Sequence, residues 1–314
     1  MISVSHLSKK YGEKLALNDV SFNIEDGHIY GFLGPNGAGK STTMNIITGY
    51  ISPSSGSVVI NDANMLTEPN KAKKHIGYLP EMPPLYMDMT VYEYLRFVAE
   101  LKGIKNKQSR IDDVDIAMYK VNIEIVKNRL IKNLSKGYKQ RVGIAAALLG
   151  NPEIIILDEP SVGLDPKQIV EIRRLIKNLG KDHTVILSSH ILSEISEVCD
   201  RIIIINNGNL VANDTPSNLI ARFNRMQQID LCLLGNASKA THYLEEIEGM
   251  DSYAVISEDE ISCRIKLIAK EGLDIRREVS TAAISNGFTL LELNVKSISL
   301  EDVYLMLTRK EGEE

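Results

Sequence analysis

Short apolar runs alternate along the chain with stretches in which apolar residues return every three or four positions. The runs have the length of β-strands, and the second pattern is that of amphipathic helix. Strands are expected at 29–33, 58–61, 76–79, 154–157, 185–188 and 201–205, and the N-terminal residues Met1-Ile2-Ser3-Val4-Ser5-His6 enter another. Helices follow several of them. One covers 40–48 and stops at Gly49; another covers 166–179, with Pro166 opening it and Gly180 just past its end. From 90 to 149 the pattern is helical, with Thr90 and Ser135 as starting residues, so a helical insert interrupts the alternation. Asn206-Asn207-Gly208-Asn209 lies between two apolar runs as a hairpin turn. Strands interleaved with helices predict an α/β domain.

After Arg222 the character changes. A strand over 228–234, a helix over 237–246, strands over 253–257 and 261–268, a helix over 274–285 and a strand over 288–293 follow in turn. The order βαββαβ is that of a ferredoxin-like α+β domain. A last helix over 299–307 carries Glu301 and Asp302 in its first turn, where negative charge suits the helix dipole. The expected division is a domain over 1–223, with its insert at about 90–149, and an accessory domain over 224–314.

Composition adds exclusions. Of 314 residues, 44% are hydrophobic and 25% charged, and the net charge is −5. That is ordinary for a globular chain and lacks the basic stripe of a nucleic-acid binder. No segment approaches the roughly 18 uninterrupted apolar residues of a membrane span, and the N-terminus lacks the charged start and apolar core of a signal peptide. Cys199, Cys232 and Cys263 are too widely spaced for a zinc motif and read as buried small hydrophobes.

Two motifs carry chemistry. Gly34-Pro35-Asn36-Gly37-Ala38-Gly39-Lys40-Ser41 fits the phosphate-binding loop G-x-x-x-x-G-K-[ST], also called Walker A. Glycines let backbone N–H groups turn around an anion, and the helix that follows offers unpaired N–H groups and a positive dipole end. Lys40 is expected at the β- and γ-phosphates, the Ser41 hydroxyl on Mg²⁺, and Thr42 on the α-phosphate side. A plain glycine-rich turn is the alternative, but a strand precedes the motif and a helix follows, as phosphate binding requires. The second motif, Ile154-Ile155-Ile156-Leu157-Asp158-Glu159-Pro160, delivers two acids at the end of an apolar strand. Asp158 is expected to orient Mg²⁺ and Glu159 to polarise the attacking water. Taken alone, the acid pair could equally be a solvated loop.

Three further segments narrow the class. Leu134-Ser135-Lys136-Gly137-Tyr138-Lys139-Gln140-Arg141 resembles the signature motif of ATP-binding cassette (ABC) proteins, L-S-G-G-Q; Ser161-Val162-Gly163-Leu164-Asp165-Pro166 resembles their D-loop, and Ser188-Ser189-His190 their switch histidine. The resemblance covers residues 1 to 220. It implies a phosphate-loop NTPase of the ABC cassette type, with ATP held between two subunits so that the phosphate loop of one faces the signature of the other. Ser135 and Gly137 would then meet the γ-phosphate of the partner's ATP. Glu159, His190 and Lys40 would be catalytic, with His190 on the γ-phosphate, and Asp165 would link the two sites or cap its helix. Tyr11 matches the aromatic that stacks on adenine, its alternative being a packed tyrosine at a strand end.

The chain departs from the family pattern in two places. Lys136 and Tyr138 replace a glycine and the glutamine of the signature. Glu81, in Ile76-Gly77-Tyr78-Leu79-Pro80-Glu81, stands where the Mg²⁺-contacting glutamine is usual. A glutamate can also ligate Mg²⁺, or it is simply a solvated loop acid. These departures and the extra domain resemble the exporter branch whose ATPase and membrane subunits are separate chains. That implies an integral membrane permease partner, a homodimer or a heterodimer with a second ATPase chain, and a cytoplasmic location on the inner face of the cell membrane. The aromatics Tyr86, Tyr92, Tyr94 and Phe97 either receive a helix of the permease or pack the insert. The alternative class is a soluble ABC ATPase acting on ribosomes or DNA. A single phosphate loop without a basic block speaks against it.

Overall fold

A computed structural model of the protein describes residues 1–223, 227–270, 272–296 and 299–308. From the N-terminus, β1 (Ile2–Tyr11) and β2 (Lys14–Ile24) pair antiparallel, and β3 (Ile29–Leu33) leads through a loop into α1 (Lys40–Ile47). β4 (Ser55–Ile60), β5 (Ala63–Asn64), α2 (Pro69–Ala72) and β6 (Ile76–Leu79) come next. The helical stretch holds α3 (Val91–Leu101), α4 (Lys107–Lys120) and α5 (Lys136–Leu148). Then come β7 (Ile154–Asp158), α6 (Pro166–Leu179), β8 (Thr184–Ser189), α7 (Leu192–Val198), β9 (Arg201–Asn206), β10 (Asn209–Asp214) and α8 (Pro216–Phe223). Last are β11 (Gln228–Leu234), α9 (Ala237–Leu244), β12 (Met250–Glu258), β13 (Ser262–Ala269), α10 (Arg276–Ser285), β14 (Thr289–Lys296) and α11 (Leu300–Thr308).

The chain divides into two units: Met1–Pro216, with Leu307 and Thr308 grouped with it, and Ser217–Met306. The division falls earlier than residue 224. Only Thr215 separates β10 from α8, so no shift in composition marks it.

In the first unit the central sheet runs β10-β9-β3-β8-β7-β6, parallel except for β10. Every residue of β3, β7 and β8 is buried, which is why these strands appear in the sequence as continuous apolar runs. A second, antiparallel sheet runs β2-β1-β4-β5. One core joins the sheets and α1: Leu17, Val20, Phe22 and Ile24 pack with Phe32, Met44, Ile47 and Ile203, and the Phe22 and Phe32 rings lie 5.4 Å apart. Each such buried side chain contributes about 1.5–3 kcal/mol. β2 was absent from the expected strands. Its clean alternation starts only at Val20, because Asp19 takes a left-handed conformation (φ 51°) and the pairing register shifts there.

The insert is fixed at its helix ends. Thr90 caps α3 in a reciprocal box with Glu93: its Oγ1 accepts from Glu93 N at 3.3 Å, and its own N–H donates to Glu93 Oε2 at 2.8 Å. Lys102 Nζ donates to the carbonyls of Ala147 and Leu149, both at 2.8 Å, and so ties the end of α3 to the end of α5. Thr90→Ala is expected to lower stability by about 1 kcal/mol, read as a lower urea midpoint with unchanged slope; an unchanged midpoint contradicts this. In the hairpin between β9 and β10 that the sequence suggested, Asn207 (φ 48°) and Gly208 (φ 76°) both take the left-handed backbone of a type I′ turn.

The second unit is an antiparallel sheet in the order β12-β13-β11-β14, the ferredoxin-like arrangement. Ile229, Leu231 and Leu233 alternate along β11, and Cys263, Ile265 and Leu267 along β13. They pack with Ala240 and Leu244 of α9 and Val279 and Ala283 of α10. Cys199, Cys232 and Cys263 are free and buried.

Candidate functional site

The chemistry gathers at the C-terminal edge of the parallel strands. β3 ends at Leu33 and opens the phosphate loop. β8 ends at Ser189, directly before His190; β7 ends at Asp158, directly before Glu159; and β6 ends at Leu79, two residues before Glu81. These strands are neighbours in the order β3, β8, β7, β6, so residues far apart in sequence share one edge of the sheet.

The loop over 34–41 has the shape an anion needs. Gly37 (φ 80°) and Gly39 (φ 113°) occupy left-handed backbone, and a Cβ on Gly34 would lie 2.2 Å from the Ile205 carbonyl oxygen. Ala38 N–H donates to the Pro35 carbonyl at 3.1 Å and Thr43 N–H to the Gly39 carbonyl at 2.9 Å. Among the described residues, the N–H groups of Gly37, Gly39, Lys40, Ser41 and Thr42 find no acceptor. These are the donors a phosphate takes at a helix N-terminus. Asn36, Gly37 and Ser41 are exposed, and Pro35 and Thr42 half-buried.

Lys40 is buried, and its Nζ donates to the Gly34 carbonyl at 2.8 Å. Burial lowers the pKa of its amine, against the opposing pull of the Glu159 and Asp158 carboxylates. Glu159 stands between two cationic or polar groups: Oε1 lies 3.7 Å from Lys40 Nζ, and Oε2 is in hydrogen-bond contact with His190 Nδ1 at 2.9 Å. Its backbone is in the left-handed region at φ 47°, a conformation that costs a non-glycine residue about 1–2 kcal/mol. Hydrogen bonds on both sides hold it there. Glu159 N–H donates to Ser188 Oγ at 2.9 Å, and its carbonyl accepts from Val162 N–H at 3.2 Å. Ser188 Oγ in turn donates to Asp158 Oδ1 at 2.5 Å, so one hydroxyl orients both acids.

Glu81 is exposed, yet near enough for its charge to act on Lys40 and Tyr78. Burial raises the pKa of the Tyr78 hydroxyl, which donates to Asn45 Oδ1 at 3.2 Å. Ser41, Asp158 and Glu81 are hard oxygen donors that, with phosphate oxygens, suit Mg²⁺. Tyr11 closes β1 with its ring half exposed, and Lys9 Nζ lies over one face of it, 5.2 Å from the ring centre. Ser135 caps α5, its Oγ accepting from Tyr138 N–H at 3.4 Å, and Gly137 is packed so closely that a Cβ would meet the Gln168 side chain at 2.8 Å. Asp165 caps α6 by accepting from Gln168 N–H at 2.9 Å. Among the described residues, no hydrogen bond or ion pair joins Ser135, Gly137 or Tyr11 to Lys40, Asp158, Glu159 or His190.

Sequence reasoning missed the role of Ser188, and it missed Glu194, whose buried carboxylate accepts from Ser161 and Ser189. The available signal was a pair of hydroxyls, Ser188 and Ser189, ending an otherwise apolar strand.

Residues 17–162 match the ABC transporter family. The sequence is 35% identical to the bacitracin transport ATP-binding protein BcrA of Bacillus licheniformis, over 98% of this chain and 97% of that one. It is 32% identical to the linearmycin resistance ATP-binding protein LnrL of Bacillus subtilis (strain 168), over 98% of each. Among solved structures, the dimeric post-hydrolysis state of the ATP-binding cassette MJ0796 bound to ADP and Pi is similar, with a TM-score of 0.62 and 29% identity over 68% of this chain and 98% of that one. With a phosphate loop and paired acids on one sheet edge, and identity of this order over nearly its whole length, the chain belongs to the ABC transporter family and is an ATP-hydrolysing subunit of such a transporter.

Proposed function

We propose that two such cassettes close on two ATP molecules and thereby drive a separate membrane permease, with Glu159 as the base that polarises water. The contact of Glu159 with both Lys40 and His190 at the end of β7 is the observation that carries this reading. Lys40 and the free N–H groups of the 34–42 segment take the phosphates, Tyr11 stacks on the base, and His190 holds the γ-phosphate end. Ser135 and the α5 N-terminus face the nucleotide of the partner. Ser41 and Asp158, with Glu81, are the residues to hold Mg²⁺, which when bound offsets phosphate charge during transfer. Catalysis is otherwise positioning and electrostatic stabilisation.

The partner is an integral membrane permease, and the chain sits on the cytoplasmic face of the membrane as a homodimer or beside a second ATPase chain. Among the described residues, no helix is long and apolar enough to cross a membrane. Tyr86 packs against Tyr94 and Phe97 at 6.1 and 5.5 Å between ring centres, yet remains half exposed beside exposed Met82 and Met87. That aromatic and methionine surface suits an apolar helix of the permease. Two relatives are named for bacitracin transport and linearmycin resistance, which supports export of an antibiotic. The second unit, Ser217–Met306, serves dimer stability or regulation.

Tyr11→Ala is expected to weaken ATP binding by about 1–3 kcal/mol, the worth of one base–aromatic stack; unchanged affinity in a fluorescent-nucleotide titration contradicts the stacking role. The permease assignment is tested by pulling down tagged Glu159→Gln chain with Mg-ATP from detergent-solubilised membranes. A multi-span protein is expected, and ribosomal or DNA-associated partners would overturn the assignment.

A further inference from the structure

Glu194 is a buried carboxylate in the first turn of α7. Burying an ionised carboxylate costs several kcal/mol unless strong hydrogen bonds offset it. Here the offsetting donors are two buried hydroxyls, one in the loop after β7 and one at the end of β8, both on one oxygen. Ser161 Oγ donates to Glu194 Oε2 at 2.5 Å, and Ser189 Oγ donates to the same oxygen at 2.9 Å. Ser189 Oγ is itself fixed, accepting from Ile191 N–H at 3.0 Å.

The positions of the two serines give the carboxylate its meaning. Ser161 follows Glu159 by two residues, and Ser189 directly precedes His190. Glu159 and His190 touch at 2.9 Å. The contacts therefore close a ring: from Glu159 along the chain to Ser161, through the Glu194 carboxylate to Ser189, along the chain to His190, and back to Glu159. The ring includes the residue with the left-handed backbone, Glu159, and adds a further long-range tie to the bonds that Ser188 and Val162 supply.

We propose that Glu194 is a positioning residue for ATP hydrolysis: it locks the loop after β7 to the end of β8, and so sets the Glu159 carboxylate against His190. The proposal rests on the reading of Glu159 as the base. A small misplacement of a catalytic group can cost about a hundredfold in rate, so the effect is expected in turnover and not in ATP binding.

The test is steady-state ATPase and equilibrium ATP binding of the full chain carrying Glu194→Ala or Glu194→Gln, each alone and with Glu159→Gln. Glu194→Ala is expected to lower kcat about 10- to 100-fold with KM nearly unchanged. Glu194→Gln, whose amide oxygen still accepts both hydroxyls, is expected to recover most of the rate. In the Glu159→Gln background, Glu194→Ala is expected to add no further loss, because the group it positions is already gone. If Glu194→Ala does not fold, Ser161→Ala and Ser189→Ala replace it, each with the same expected fall in kcat. Wild-type kcat in these variants, a loss confined to KM, or a loss fully additive with Glu159→Gln would overturn the proposal. A Glu159→Gln chain as fast as wild type would instead overturn the parent reading of the base. An inactive Glu159→Gln beside a fully active Glu194→Ala overturns the positioning role alone.

Discussion

Glu159→Gln is expected to lower ATP turnover by about 10²–10⁴-fold while leaving ATP affinity within a few fold. The amide fills the same volume and can still meet His190, but it cannot take a proton from water. The wild-type carboxylate is already poised for that role: it stands at the sheet edge beyond Asp158, its oxygens 3.7 Å from Lys40 Nζ and 2.9 Å from His190 Nδ1. Because the left-handed backbone at Glu159 is held by Ser188 and Val162, the substitution keeps the loop intact. Phosphate release and nucleotide binding measured on the same preparation separate the two effects. Turnover within a few fold of wild type contradicts the assignment of Glu159.

Lys40→Ala acts at the other step. Its ammonium is expected on the β- and γ-phosphates, and a charged hydrogen bond of this kind is worth about 1.5–3 kcal/mol, or roughly 10- to 150-fold in Kd. Its bonds to the Gly34 and Pro35 carbonyls at 2.8 and 3.4 Å have neutral acceptors, so an anionic phosphate can replace them. The expected result is a loss of ATP affinity of that order by isothermal titration. Removing the lysine also leaves the Glu159 and Asp158 carboxylates, both buried, without their compensating charge. Lys40→Met, which keeps the volume of the side chain, separates that effect from a collapse of the loop and should lose affinity equally. Unchanged affinity in both variants contradicts the phosphate role.

What was legible in the sequence follows from which constraints are local. β3, β7 and β8 are buried on both faces, so their apolar runs identified them almost to the residue. The phosphate loop was legible because its left-handed glycines and the helix behind them are local requirements. Thr90, Ser135 and Asp165 were legible as helix starts because capping acts within three residues. β2 was not, since the bulge at Asp19 breaks its period. Nor were the links from Ser188 to the acids or from Glu194 to Ser161, which join residues about 30 positions apart and leave no periodic trace. The signature role of Ser135 and Gly137 came from resemblance alone. In a single chain they make no bond to the acids, and their proposed role needs a second chain.

Sedimentation of the Glu159→Gln chain with and without nucleotide shows whether two chains share the site. With Mg-ATP the protein is expected to run as a dimer, and with Mg-ADP or without nucleotide as a monomer. Ser135→Arg, placing a bulky cation at the α5 N-terminus, is expected to abolish the ATP-dependent dimer. A monomer under all conditions, or a dimer indifferent to nucleotide and to Ser135→Arg, would contradict a site shared between two chains.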